Sequence, residues 1–481
     1  MKVSRYNIFV PLHQNRILAY NGMSGGLAVW EKEDYQTYQQ VVDGKPPNNA
    51  DALRELAKGG YLVNDQIDEL AVLWQQYRKH RFDASTAILT IAPTLGCNFN
   101  CDYCFQGQDK PQEAMSQEVQ DALFDMAVQM VPWIKHLHVA WYGGEPLLRK
   151  SIIESLSERF MHVCDSTGVR YDAMMVTNGY LLNAETAKSL YQRRVKQVQI
   201  TLDGMADYHD TRRTLLTGKG TFQRIIDNVK EWIDDVPLGV SVRINIDDRN
   251  RENIHGLIDD LAAQGLANKK NFKLYFAPVE AMTEGCHIVA DVTMQKSRYA
   301  DLETNLFRYA FEKGLTSLPY PPRFRGTCGA VRPRGFVVVP NGDIHKCWDT
   351  VSWPEKRIGT VFKLEDIRQD EQAMKWMKWN PFENDTCRNC KILPNCAGAC
   401  AFKFVHAEET RGEAAILPCP SWKYNIKERL VLRALKMGAI TSDDYDFDAV
   451  KTNPAQLCAD VHIPGKSLPD KMKAAYAVAA K

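Results

Sequence analysis

Apolar runs recur six times between residues 86 and 280: at 87–94 (AILTIAPT), 136–141 (HLHVAW), 172–177 (DAMMVT), 196–202 (KQVQITL), 239–246 (GVSVRINI) and 272–278 (FKLYFAP), with amphipathic segments between them. This alternation predicts βα units built on a parallel sheet, an α/β architecture. Six units fall short of a closed eight-stranded barrel, so the expected form is a partial (β/α)6 barrel open on one side. Two of the strands show which way they face, because alternate residues point to opposite sides. Val240, Val242, Ile244 and Ile246 share one face against Ser241, Arg243, Asn245 and Asp247, and Val198, Ile200 and Leu202 oppose Gln199, Thr201 and Asp203. The apolar faces should meet the helices, and the polar faces a wet, ligand-holding lumen.

Ahead of this series come apolar strands at 6–12 (YNIFVPL), 16–20 (RILAY) and 25–30 (GGLAVW), with a turn at Asn21-Gly22. A helix, a break at Pro46 and Pro47, a second helix and a short strand at 61–64 (YLVN) complete a small winged-helix-like module. A helix over 65–80 follows, with Ile67, Leu70, Ala71, Trp74 and Tyr77 on one face. Beyond the series, residues 335–347 read as a β-hairpin around Asn341-Gly342, a strong tight-turn signal. Trp376 and Trp379, with Met374 and Met377, form a packing stripe on a later helix, and the chain from Ile426 onward is mostly helical. These divisions predict a winged-helix-like domain at 1–85, the partial barrel at 86–310, a cysteine-rich domain at 311–425 and a helical tail at 426–481.

Length and composition add bounds. A chain of 481 residues with 45% hydrophobic content has material for several cored domains, and a net charge of +1 gives no global footprint for nucleic acid or an anionic membrane. The N-terminus lacks a secretion signal and no apolar stretch approaches the ~18 residues that span a bilayer, which predicts a soluble, cytoplasmic protein without nucleic-acid or membrane partners. In that compartment the 13 cysteines suit metal ligation rather than disulfides, and ten of them fall into two sets with ligand-like spacing. Cys164 reads as a small buried hydrophobe, and Cys286 and Cys458 stand alone.

Cys97-x3-Cys101-x2-Cys104 follows the first barrel strand directly, at the C-terminal mouth where such folds place their chemistry. A structural zinc site takes four protein ligands, whereas three thiolates around a four-iron, four-sulfur cluster leave one iron open. By spacing alone zinc stays open as well. Tyr142-Gly143-Gly144-Glu145-Pro146 follows the second strand, Thr177-Asn178-Gly179 the third, and Thr201-Leu202-Asp203-Gly204 with His209-Asp210-x-x-Arg213 the fourth. Two adjacent glycines would let backbone carbonyls approach a ligand ammonium group.

In this ordered set, residues 86–280 resemble the radical S-adenosylmethionine (SAM) superfamily. The resemblance implies that the three-cysteine cluster binds the amino and carboxylate groups of SAM through its open iron and cleaves it to a 5′-deoxyadenosyl radical. It implies that Gly143, Gly144 and Glu145 hold the methionyl amine, and that Thr201, Arg213 and Asn245 contact the ribose or carboxylate. Asn178 is a further cofactor contact, and Arg243 is a carboxylate partner by its own chemistry.

A second cysteine set, Cys328-x13-Gly342-x4-Cys347, then Cys387-x2-Cys390-x5-Cys396-x3-Cys400, then Cys419, resembles the SPASM extension of these enzymes. That pattern assigns Cys387, Cys390, Cys396 and Cys419 to one auxiliary four-iron cluster and Cys328, Cys347 and Cys400 to another, for three clusters in all. The second auxiliary set is one ligand short; Cys286, a non-cysteine ligand or substrate completes it. Zinc-ribbon chemistry is the competing reading of the Cys-x2-Cys pair.

Proteins of the SPASM type oxidise peptides or proteins, and the N-terminal module resembles leader-peptide recognition domains that add an extended leader to a sheet edge. DNA binding, the other use of winged helices, is disfavoured because the first 64 residues carry no Lys/Arg-rich recognition helix. The expected function is oxidative modification, such as crosslinking, of a ribosomally made precursor peptide bound through its leader, with flavodoxin or ferredoxin as electron donor. One alternative is a sulfatase-maturating type that oxidises a protein Ser or Cys to formylglycine. Its characteristic carboxylate would directly follow the cysteine corresponding to Cys347, where Trp348 stands here and Asp349 comes next. Asp203 and Asp349 are the candidate bases. A non-catalytic iron–sulfur electron carrier would explain the cysteines but not the strand-end motifs.

Overall fold

The computed structural model describes residues 1–317, 320, 322–368, 370–411 and 419–447, so Cys458 and the tail beyond 447 lie outside the described residues. Fourteen strands are described: β1 (Lys2–Val3), β2 (Asn7–Pro11), β3 (Ile17–Asn21), β4 (Leu27–Trp30), β5 (Leu62–Val63), β6 (Thr86–Ile91), β7 (His136–Trp141), β8 (Arg170–Val176), β9 (Val195–Leu202), β10 (Gly239–Ile246), β11 (Phe272–Pro278), β12 (Gly335–Val338), β13 (Asp343–His345) and β14 (Gly359–Thr360). All six predicted barrel strands form, paired parallel in the order β11-β10-β9-β8-β7-β6. Helices follow from β6 onward, started by side-chain caps such as Ser116 on Val119 N–H and Asn183 on Thr186 N–H, which satisfy otherwise orphaned donors. Val198, Ile200, Leu202, Val240, Val242, Ile244 and Ile246 are all buried in the helix-facing core.

The hairpin β12–β13 forms at Asn341-Gly342 as expected, with Gly342 at φ +87°. It does not stand apart. β12 pairs parallel with β6, and β13 and β14 extend the same sheet to nine strands. The cysteine-rich region is thereby fixed to the barrel at the strand that leads into Cys97.

At the N-terminus β2, β3 and β4 make an antiparallel sheet, β1 pairs with β5, and helices occupy Lys32–Val42 and Ala50–Lys58. This module shares its core with the C-terminal half: Ile8, Val10, Leu18 and Tyr20 pack with Ile392 and with Ile426, Leu430 and Val431 of the helix Ile426–Lys436. The helix Glu69–Arg81 differs from its predicted face. Asp68 caps it, which leaves Ile67 outside and exposed, and Leu73, Tyr77 and Arg81 turn inward while Ala71 faces out. Arg81 is buried because its guanidinium donates to the carbonyls of Val331, Trp376, Met377 and Trp379, at 2.6–3.1 Å. Trp376 is buried, Met374 is exposed, and Trp379 stacks on Phe404 with ring centroids 4.0 Å apart, so the stripe is only in part a packing face. Cys164 is fully buried in the barrel core, and among the described residues no helix is long and apolar enough to cross a membrane.

Candidate active site

The C-terminal ends of the barrel strands surround a cavity of about 390 Å³. Cys97, Cys101 and Cys104, from the loop after β6, line one wall together with Gly143, Gly144 and Asn178. Thr201, Arg243 and Asn245 reach it from the polar faces of β9 and β10, with Arg213 beside them. Asp349, Cys400, Cys286, Glu280 and Lys403 line the same cavity.

The strand-end motifs hold the cysteine loop in place. A Cβ on Gly144 would lie 2.1 Å from the Gly96 carbonyl oxygen and 2.3 Å from that of Leu95, and one on Gly143 2.3 Å from that of Thr94. The glycines therefore permit two backbone loops to touch, where ligand approach alone was the expected reason. Gly144 N–H donates to Thr94 O at 3.2 Å and Glu145 N–H to Gly96 O at 2.8 Å. Glu145 is fully buried behind the cavity wall; its carboxylate accepts from Leu147 N–H (3.0 Å), Thr177 Oγ1 (2.8 Å) and Asn178 N–H (2.7 Å), tying the end of β7 to that of β8. The Asn178 amide donates to Asn98 Oδ1 at 2.8 Å, within the cysteine loop, and Cys97 Sγ accepts from Phe99 N–H at 3.4 Å.

Asp203 also lies behind the wall, fully buried, beside Tyr103, Arg212 and Arg213. Burial raises its carboxyl pKa against the pull of Arg213 and Arg212. Arg213 donates to Tyr103 Oη at 2.6 Å; burial opposes its charge, but Cys101, Tyr103 and Asp203 outweigh it and keep it protonated. His209 is buried, burial pushes its pKa well down, and its Nε2 lies 3.1 Å from Thr221 Oγ1, so it is a packed neutral histidine.

Sequence reasoning missed the network behind this wall. Arg212 bridges Asp102, in the cysteine loop, to Asp247 after β10, each at 3.1 Å. Arg249 repeats the bridge at 3.0 and 2.8 Å. Asp247 on the polar face of its strand and Arg212 beside the motif arginine were the available signals. Also unforeseen are Glu280, which accepts from Lys296 (3.0 Å) and Lys403 (2.6 Å), and Trp348, whose ring centroid is 3.6 Å from that of Tyr142. The two lysines outweigh burial and hold the Glu280 carboxyl down at about 2, and burial raises that of Asp349 to about 6.

The remaining cysteines fall into two places. Cys387, Cys390, Cys396 and Cys419 line a second cavity of about 30 Å³. Cys328, Cys347 and Cys400 lie close together, and burial, the Asp349 carboxylate and the two neighbouring thiols push the Cys347 thiol well up. Cys286 Sγ is 3.4 Å from Thr283 Oγ1 and 3.2 Å from Thr283 O, with burial raising its thiol.

A single tetrahedral zinc with Zn–S of about 2.3 Å holds its sulfurs about 3.8 Å apart. Among the described residues, two groups bring three donor atoms within 4.8 Å of one another, and neither includes a cysteine. Three thiols lining one cavity fit a polynuclear cluster, and the polar residues that line it with them fit a zwitterionic cofactor.

Residues 91–261 match the radical SAM superfamily. Mycofactocin maturase MftC of Mycolicibacterium smegmatis is 26% identical over 340 residues, 66% of this chain and 78% of that protein. The serine-type anaerobic sulfatase-maturating enzyme of Bacteroides thetaiotaomicron is 21% identical over 361 residues, 63% of this chain and 80% of that protein. Among solved structures, Streptococcus suis SuiB bound to precursor peptide SuiA superposes with a TM-score of 0.51 at 15% identity, over 86% of this chain and 97% of that one.

Proposed function

We propose that this chain, whose residues 91–261 match the radical SAM superfamily, is an enzyme that oxidatively modifies, and crosslinks, a ribosomally made peptide. A four-iron, four-sulfur cluster and SAM supply, when bound, a one-electron reductive cleavage to methionine and a 5′-deoxyadenosyl radical that abstracts a substrate hydrogen. In this reading Cys97, Cys101 and Cys104 hold the cluster, and the Gly143-Gly144 backbone receives the methionyl amine. Asn178, Thr201, Arg213, Arg243 and Asn245 orient the ribose and carboxylate, and Glu145 positions this wall without touching the cofactor. Asp349 takes a proton from the modified residue. Asp203, sealed behind the wall, acts on Arg213 by charge.

Cys387, Cys390, Cys396 and Cys419 would hold one auxiliary cluster and Cys328, Cys347 and Cys400 the other, with flavodoxin or ferredoxin supplying electrons. The open edge of β4 would receive the leader as an added strand.

The observation that carries the reading is the meeting of the three-cysteine loop, the glycine pair, Asn178, Thr201 and Asn245 in one cavity that Cys400 and Asp349 also line. The mycofactocin maturase and the SuiB–SuiA complex support a peptide as substrate. The test is anaerobic incubation with SAM, dithionite and peptides encoded by short reading frames beside the gene, read by mass spectrometry. A crosslink appears as loss of two hydrogens without a new carbonyl. The sulfatase-type relative and the placement of Asp349 favour formylglycine formation as the second reading, which yields an aldehyde that a hydrazide captures. SAM cleavage without peptide modification by any candidate counts against both.

A further inference from the structure

Two histidines and a carboxylate meet at the opposite end of the barrel sheet. His136 and His138 sit two apart on β7, on the face away from buried Leu137 and Val139, and β8 sets Asp172 directly beside His138. His136 Nε2 lies 2.8 Å from Asp172 Oδ2, and His138 Nδ1 lies 2.6 Å from Asp172 Oδ1. One donor atom from each of the three falls within 4.8 Å of the others. All three side chains are partly open to solvent, at 17%, 28% and 26%, so a small ion has a route in.

We propose that His136, His138 and Asp172 form a binding site for a divalent cation of the zinc class, separate from the cysteine-lined cavity. Two imidazoles and one carboxylate are a donor set that zinc takes, with a water completing four-coordination. Metal–ligand distances of about 2.0–2.1 Å place neighbouring donors about 3.3 Å apart, so each histidine–carboxylate pair opens by roughly half an ångström to admit the ion. Side-chain rotation of that size leaves the β7–β8 hydrogen bonds intact.

Arg170 competes for the site. Its Nη2 lies 3.0 Å from His136 Nδ1 and its Nε 3.5 Å from Asp172 Oδ2, but the side chain is 70% exposed and can swing into water. The site takes no part in the chemistry, because His138 precedes Tyr142 by four residues, about 13 Å of strand. Its role is to fasten the closed end of the sheet, and it predicts zinc in preparations whose cysteines are all occupied by iron.

The test uses the full-length, iron-replete protein equilibrated with zinc chloride, desalted, and assayed for zinc and iron together. Wild type should retain one zinc per chain above the amount held by Asp172→Asn, with equal iron and equal SAM cleavage in both. Removing the competing charge in Arg170→Ala should tighten zinc binding about tenfold. Equal zinc in wild type and Asp172→Asn overturns the proposal. Should Asp172→Asn lose iron through misfolding, unchanged zinc affinity in Arg170→Ala overturns it instead.

Discussion

Replacing Gly144 by alanine isolates the contact on which the cavity wall depends. Gly144 is not among the residues with positive φ, so alanine brings no dihedral penalty and the whole effect comes from its Cβ. That atom meets the Gly96 and Leu95 carbonyl oxygens at 2.1 and 2.3 Å, where ordinary contact begins at 3.4 Å. Both obstacles are backbone, so the loop into Cys97 must retreat by about 1 Å, at a cost of about 1–3 kcal/mol typical of overpacking. A misplacement of that size at a reacting centre lowers rates by about 10²-fold. The assay is 5′-deoxyadenosine formation under dithionite, with iron content and thermal midpoint measured on the same samples. Gly326→Ala, which meets nothing within 4 Å, is the control. Gly144→Ala should lose about 10²-fold in rate and several degrees in midpoint, with Gly326→Ala unchanged. A Gly144→Ala protein with normal rate and midpoint would refute the loop-contact argument.

Cys396→Ala and Cys400→Ala should each lose about four iron atoms and the double variant about eight, since the two belong to different clusters; equal iron in wild type and both single variants counts against two auxiliary sites. Arg81→Ala removes four hydrogen bonds to backbone carbonyls, two of them fully buried, and should destabilise the chain by about 3 kcal/mol in urea denaturation; a change under 1 kcal/mol contradicts that accounting. Deleting residues 1–85 uncovers Ile426, Leu430 and Val431, each worth roughly 1.5–3 kcal/mol when buried. The truncated chain should aggregate or unfold without cooperativity, and a soluble fragment with a normal midpoint would show that the module is detachable.

The barrel was legible because its signals are local. Strict alternation in β9 and β10 put seven polar residues on the lumen side; Gln199, Thr201, Arg243 and Asn245 line the cavity, whereas Ser241, Asp203 and Asp247 are buried outside its lining. The resemblance to the SPASM extension implied the grouping of Cys387, Cys390, Cys396 and Cys419, and these four line one small cavity. What escaped was long-range. Nothing in the hairpin itself specifies that β12 adds to β6, because strand pairing depends on a partner 247 residues away. The shared core between β2, β3 and the helix Ile426–Lys436 is likewise invisible to periodicity, which reports that a face is buried but not against what. The resemblance made Glu145 a contact of the methionyl amine, and the three donors that occupy its buried carboxylate were not legible in the motif.

The central claim is that the cavity lined by Cys97, Cys101 and Cys104 supports reductive cleavage of SAM. The most direct measurement is 5′-deoxyadenosine production by anaerobically reconstituted wild type and Cys101→Ala, each with SAM and dithionite. Cys101 is buried, beside Arg213, and its loss removes one of three thiolates. Wild type should form 5′-deoxyadenosine and methionine in equal amounts, and Cys101→Ala should form none above background. Cleavage at the wild-type rate in Cys101→Ala, or none in iron-replete wild type, would contradict the account.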